Sequence, residues 1–155
     1  MNIFVTGGAG YIGSAAAQAL YEGGHSVTVY DSLVTGHRAA VPASANFIQG
    51  DLADITLLEA SLAEGKFDAI LHFAAFIEAG ESMKKPGKFI HNNLVNSAHL
   101  IEASLRAGVR KFVLSSTAAV YASSDEPLDE NSPLDPANTY GFTKLAIEQM
   151  LEWYR

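Results

Sequence analysis

The stretch Val5-Thr6-Gly7-Gly8-Ala9-Gly10-Tyr11-Ile12-Gly13 restricts this chain more than any other. It follows a short apolar run, residues 1–5, that reads as a buried strand, and it leads into an alanine-rich segment, residues 14–21, that reads as a helix. A glycine-rich turn at such a junction brings backbone N–H groups to a helix N-terminus, where they can hold a pyrophosphate. The spacing gives Gly7 the tight turn, Gly10 the close approach of phosphate to backbone, and Gly13 the close packing of helix on strand. Gly23-Gly24 then ends the helix, and Val27, Val29 and Tyr30 form a β-rich run closing on Asp31. A carboxylate about 20 residues after the glycines, at the tip of the second strand, accepts hydrogen bonds from the adenosine ribose hydroxyls of NAD and repels the extra phosphate of NADP. An ordinary glycine loop followed by a solvated acid is the competing reading. The strand–helix–strand context favours an NAD site.

The pattern continues along the chain. Asn46–Gln49 reads as a third strand ending at Gly50-Asp51-Leu52. Residues 53–64 read as a helix capped by Asp54, with Leu57, Leu58, Ala60 and Leu62 on its apolar face. Residues 68–73 read as a fourth strand running into Ala74-Ala75, small residues against which a flat ring could lie. A loop over residues 78–87 comes next, then a long helix over residues 88–107 ended by Gly108, and a fifth strand over residues 110–115. Apolar strands alternating with helices of this length predict right-handed crossovers and a doubly wound parallel α/β sheet, the Rossmann fold. Residues 116–138 form a long loop with many acids, of a length that tends to be functional. A last helix runs over residues 139–155.

At 155 residues the chain is one domain by length. Its net charge of −7 argues against a nucleic-acid surface. No apolar run approaches the roughly 20 residues needed to cross a membrane. The N-terminus enters a core strand at once, so no signal peptide is expected. With no cysteine, disulfide and thiolate chemistry are excluded, which fits a cytoplasmic enzyme. The five histidines (His25, His37, His72, His91, His99) lack metal-ligand spacing and are expected to pack in the core or on the surface, with no metal bound.

Tyr140 and Lys144 lie four residues apart near the start of the last helix and share one face. A phenol with a reference pKa of about 10 is a poor base at neutral pH. A neighbouring ammonium makes its phenolate available, helped by a positively charged nicotinamide. Thr117, just past the fifth strand, brings a hydroxyl to the crevice at the strands' C-terminal ends. Alone, the pair would read as surface residues and Thr117 as a turn residue; the preceding fingerprint makes them catalytic candidates.

These motifs together resemble the N-terminal half of the extended short-chain dehydrogenase/reductase family, in its NAD-dependent nucleotide-sugar epimerase/dehydratase branch. The resemblance rests on Thr6-Gly7-Gly8-Ala9-Gly10-Tyr11-Ile12-Gly13-Ser14, Gly36-His37-Arg38, Gly50-Asp51-Leu52, Lys66-Phe67-Asp68 and His72-Phe73-Ala74-Ala75. It continues through Gly80-Glu81-Ser82, Asn92-Asn93 and Tyr140-Gly141-Phe142-Thr143-Lys144, in the family's order and across the whole chain. It implies Tyr140 as the base on a sugar hydroxyl, Lys144 as its partner, also bonding the nicotinamide ribose, and Thr117 as a substrate hydrogen-bonding hydroxyl. It implies cofactor contacts at Gly7, Gly10, Tyr11, Ile12, Gly13, Asp31, Asp51, Leu52, Phe73, Ala74, Ala75 and Ser115, and places Asn93 near cofactor or substrate. The implied reaction is epimerisation at C4 of a nucleotide sugar, UDP-glucose or UDP-galactose, through a 4-keto intermediate with NAD retained. Related dehydratases carry Asp-Glu after the Thr; Ala118 and Ala119 stand there here, which disfavours elimination. Ala15, Ile77 and Ala122 depart from the commonest epimerase pattern.

Family members are roughly twice this length, so residues 1–155 are expected to form the NAD-binding domain alone, five strands in order 3-2-1-4-5, without the C-terminal sugar-nucleotide domain. The fifth strand is then left at an edge. The resemblance also implies a homodimer through the helices at residues 88–107 and 139–155. Two rival readings remain open: an NAD-binding fragment without turnover, and another nucleotide-sugar epimerase or reductase of the same fold.

Overall fold

A computed structural model describes residues 1–154. Its elements are β1 (Asn2–Thr6), α1 (Tyr11–Glu22), β2 (Ser26–Asp31), β3 (Asn46–Gln49), α2 (Ile55–Gly65), β4 (Ala69–His72), α3 (Ala79–Lys84), α4 (Pro86–Phe89), α5 (Asn96–Arg106), β5 (Phe112–Leu114) and α6 (Thr139–Trp153). The chain divides into two compact units, the first comprising Met1–Ala74 with His99–Ser115, the second Ala75–Ala98 with the chain from Ser116 onward.

The first unit holds one five-stranded sheet of order β3-β2-β1-β4-β5, every pairing parallel. Side chains on a strand alternate between faces, so β1 feeds two cores. Phe4 joins Tyr30, Leu58, Leu62, Ile70 and Leu100 on one face. Ile3 and Val5 join Ala17, Val27 and Val29 on the other. Apolar residues at successive β1 positions are what a parallel sheet covered on both faces demands. At the β1–β4 pairing, Thr6 Oγ1 and His72 Nδ1 are hydrogen-bonded at 2.6 Å, both residues fully buried, so His72 is a core residue. Val113, midway along edge strand β5, is 55% exposed.

Asp54 caps α2 by accepting the Leu57 N–H at 3.0 Å. The buried face of α2 is Leu58, Ser61 and Leu62; Ala60, expected on it, is exposed. Two residues on from Leu58 is more than half a turn away, whereas Ser61 and Leu62 lie three and four on and share its face. The Ser61 hydroxyl satisfies itself on the Leu57 carbonyl at 2.7 Å. After α5, Gly108 takes φ +80°, the left-handed conformation of a helix stop, and its N–H bonds the Leu105 carbonyl at 3.0 Å.

The second unit corrects two expectations. Residues 78–87 are not a loop: α3 lies within them, fastened by Glu81 to Lys85 (3.1 Å) and Lys88 (3.0 Å). The break from α3 to α4 falls at Lys85 (φ −133°), because the residue before a proline is pushed out of the helical region, and Pro86 opens α4. The long helix expected over residues 88–107 is not uniform. Ile90–Val95 between α4 and α5 is π-helical, a widened turn at which the buried Ser97 hydroxyl bonds the Asn93 carbonyl. The loop after β5 closes on itself through an antiparallel bridge, Tyr121 to Leu134, with the Ala122 N–H on the Pro133 carbonyl at 2.8 Å. Asp125, Glu126, Asp129 and Glu130 are all exposed on it.

Candidate functional site

In the first unit the glycine turn is built by steric exclusion. Gly7 has φ +74°, and a Cβ there would lie 2.4 Å from the Ala74 nitrogen. A Cβ on Gly13 would lie 2.2 Å from the Gly7 carbonyl oxygen, so α1 can start this close to the turn only without a side chain. At Gly10 a Cβ would meet only the Gly7 oxygen, at 3.3 Å. Gly10 is also the N-cap of α1 and offers no side-chain cap, while Tyr11 (96% exposed) and Ile12 stand open to solvent on the first turn. An uncapped helix start with open space before it is an arrangement that accepts an anion.

Asp31 ends β2 and is buried. Its Oδ2 accepts the Ala9 N–H at 2.9 Å and its Oδ1 the Leu33 N–H at 2.8 Å. Its carboxylate therefore anchors the glycine turn, a role the sequence pattern did not disclose, and each oxygen keeps a second acceptor site. The loop after β2 is drawn in as well, by the His37 N–H on the Ala9 carbonyl at 2.9 Å. Leu33 takes φ +61°, a strained conformation for a branched side chain of the sort concentrated at ligand sites.

Tyr30 links β2 to the end of β3, donating its hydroxyl proton to the Asp51 carbonyl at 2.9 Å. Burial, then the nearby Asp54 and Asp51 charges, push the Tyr30 phenol up to about 12, so it stays a donor. Asp51 is exposed and accepts the Ala53 N–H at 2.9 Å, while the Leu52 side chain is in the core. Phe73 and Ala74 leave β4 half-buried, the Phe73 N–H on the Thr6 carbonyl at 2.9 Å. Ser115, past β5, donates its N–H to the His72 carbonyl at 3.0 Å. The first unit thus gathers Gly7, Gly10, Gly13, Asp31 and Ala74 around one turn; Asp51 reaches that set through Tyr30.

In the second unit Tyr140 and Lys144 lie in the first turns of α6, as expected from their spacing. Asn138 caps the helix by accepting the Gly141 N–H at 2.8 Å. Lys144 is only 2% exposed, and burial pulls its ammonium down to about 8 against the opposing pull of Glu148. Thr117 begins a short 3-10 turn (Ala118–Val120), its Oγ1 accepting the Ala119 N–H at 3.2 Å. A hydroxyl accepting one bond still has a proton to donate. That turn abuts α6 at Gly141, where a Cβ would lie 2.2 Å from the Ala119 oxygen. Thr117 and the Tyr140 turn are thereby held on neighbouring segments. Sequence reasoning missed Gly141 as a packing position, although it stands inside the Tyr140-Gly141-Phe142-Thr143-Lys144 motif.

Asn93 sits on the π-helical turn and is fully buried. Its Oδ1 accepts the Phe76 N–H and its Nδ2 donates to the Phe76 carbonyl, both at 2.9 Å, and Nδ2 also donates to Thr143 Oγ1 at 3.2 Å. Its amide ties the segment that starts with half-buried Ala75 to α6. Ser82, on the unexpected α3, is likewise fully buried and reaches α6. Only the short motif Gly80-Glu81-Ser82 hinted at it. Among the described residues there is no cluster of three or more His, Asp or Glu that could hold a metal, and no helix long and apolar enough to cross a membrane.

A parallel sheet of this order, with a glycine turn into its first helix and an acid closing its second strand, defines a Rossmann-type dinucleotide-binding protein of the α/β class. The sequence profile of the NAD dependent epimerase/dehydratase family matches residues 3–155, and the chain belongs to that family. It is 46% identical to a UDP-glucose 4-epimerase of Corynebacterium glutamicum, over 99% of this chain and 46% of that protein. It is 48% identical to the one from Streptococcus mutans, over 99% of this chain and 47% of that one. Among solved structures, a UDP-glucose-4-epimerase from Stenotrophomonas maltophila with bound NAD and formylated UDP-arabinopyranose superposes with a TM-score of 0.94. That structure is 38% identical, with 99% of this chain and 48% of that one covered. The chain thus spans about half the length of the relatives it matches.

Proposed function

We propose that residues 1–155 together form the NAD-binding, catalytic-residue-bearing half of a nucleotide-sugar 4-epimerase acting on UDP-glucose and UDP-galactose. The observation that carries this reading is the buried Lys144 one turn from Tyr140 on a helix start packed against the Thr117 turn. Support for NAD comes from the open, uncapped start of α1, the space at Gly10 and the buried Asp31 carboxylate with acceptor capacity left. Gly7, Gly10, Tyr11, Ile12 and Gly13 would hold the pyrophosphate, Asp31 the adenosine ribose, and Asp51 with Leu52 the adenine. Phe73, Ala74 and Ser115 of the first unit are further candidate cofactor contacts, as are Ala75 and Asn93 of the second. Bound NAD would supply an acceptor and donor of hydride at the sugar C4.

Tyr140 takes the proton from the C4 hydroxyl and returns it after the 4-keto sugar has presented its other face. Lys144 stands one turn further along the same helix, and Thr117 donates to the same sugar oxygen. A Lys144 that loses its proton at about 8 is still mostly charged at neutral pH, so activity falls on the alkaline side of that value. Ala118 and Ala119 offer no acid or base for elimination. We further infer a cytoplasmic homodimer, supported by the exposed apolar side chains Ile90, Phe142 and Trp153 (90% exposed) and by the absence of cysteine.

The test is conversion of UDP-galactose to UDP-glucose by this chain with added NAD, alongside Tyr140→Phe. Turnover lost in the variant supports the reading; turnover surviving in it overturns it. NAD binding without turnover supports a second reading, a cofactor-binding half that needs further chain, which the coverage of about half of each relative favours.

A further inference from the structure

A helix start leaves its first N–H groups without intrahelical partners, and in α6 one of these belongs to Tyr140. Asn138 satisfies Gly141, not Tyr140. The Tyr140 N–H is instead received by the Ser82 hydroxyl at 3.1 Å, a residue 58 positions earlier in the chain. Ser82 is fully buried, and its own proton is committed to the Ala79 carbonyl at 2.7 Å, which orients its lone pair toward Tyr140. The other side of the same residue is also held. The Tyr140 carbonyl accepts the Thr143 hydroxyl at 2.7 Å, and Thr143 Oγ1 in turn accepts from Asn93. Both peptide groups of Tyr140 are therefore gripped by buried side chains, while its ring is left to turn about a fixed Cα.

We propose that Ser82 is a positioning residue for the reaction, setting the Tyr140 backbone so that the phenol meets the sugar hydroxyl at the right distance from Lys144. The grip on the Tyr140 peptide is a property of this unit alone; its consequence for turnover rests on the epimerase reading above. Misplacement of a reacting group by about 1 Å costs on the order of a hundredfold in rate without weakening substrate binding.

The experiment uses the full chain with Ser82→Ala and Ser82→Thr, read by NMR with tyrosine labelled and by steady-state kinetics with UDP-galactose and NAD. Ser82→Ala is expected to speed amide hydrogen exchange at Tyr140 about tenfold, the loss of one hydrogen bond, and to move the Tyr140 ring resonance. Exchange at Tyr30, in the sheet, is expected to stay unchanged, and Ser82→Thr, which keeps the hydroxyl, to restore both Tyr140 signals. In turnover, Ser82→Ala is expected to lower kcat at unchanged KM. Unaltered Tyr140 exchange and resonance in Ser82→Ala would overturn the proposal, as would acceleration shared equally by the sheet amide, a rise in KM at unchanged kcat, or a loss of kcat in Ser82→Thr as large as in Ser82→Ala. If the wild-type chain shows no turnover, the epimerase reading fails for this chain, and the exchange and resonance measurements alone decide whether Ser82 positions Tyr140.

Discussion

The glycine turn of the first unit and the start of α6 in the second, the two regions proposed to meet a ligand, are built in opposite ways. The turn is made of backbone: positions where a Cβ cannot fit, N–H groups left open, and one carboxylate that fastens the loop. The α6 start is made of side chains: Asn138, Ser82, Thr143 and Asn93 bond its first turn, and Lys144 is buried within it. A backbone cradle holds a group common to many ligands, whereas a side-chain network sets one reactive atom in place. Damage to the first should therefore remove binding, and damage to the second should remove chemistry.

The sharpest separation is expected from Tyr140→Phe, which removes the hydroxyl proposed to transfer the proton and nothing of the cradle. Epimerisation should fall by about 10²–10⁴-fold, with NAD affinity by calorimetry unchanged; a parallel loss of affinity would merge the two regions. Gly13→Val is the converse. A side chain driven against the Gly7 carbonyl costs about 1–3 kcal/mol and should abolish NAD binding at concentrations that saturate the wild type, with the Tyr140 ring resonance unmoved.

Asp31→Ala separates the two roles of that carboxylate. It leaves the Ala9 and Leu33 N–H groups unpaired, a loss of about 1–3 kcal/mol measurable by urea unfolding, and it also weakens NAD binding. A variant that loses affinity at full stability would show that the anchoring bonds contribute nothing. The smallest effect is a slope in pH. The folded chain releases the Lys144 proton at about 8, the unfolded chain near the ordinary value of 10.5. Between those values the unfolded state holds the extra proton, so stability rises with pH, by at most about 1.4 kcal/mol per unit. Lys144→Met should lack that rise; equal slopes in both proteins would mean that burial does not disfavour the Lys144 charge.

The same contrast explains what could be seen in the sequence. The strand–helix alternation, the glycine turn, Asp31 and the Asp54 cap are written in local patterns of period, spacing and turn chemistry, whereas the strand order came with the family resemblance. Tyr140 and Lys144 were legible for the same reason, as two residues four apart on one helix. Ser82 was not, because its partner lies 58 residues away and α3 is too short to show periodicity. The π-helical turn at Asn93 was hidden too: its residues fit a regular helix, and only the backbone of Ile90–Val95 reveals the widened turn. Ala60 was misplaced by counting apolar letters, where the phase of Leu58 and Leu62 selects Ser61.

The division between a binding cradle and a chemical network is tested most directly by titrating NAD calorimetrically into the wild-type chain, Tyr140→Phe and Gly13→Val. The wild type and Tyr140→Phe should bind with the same affinity and Gly13→Val should show no heat of binding. Equal binding by Gly13→Val, or none by the wild type, would contradict the assignment of the glycine turn as the cofactor cradle.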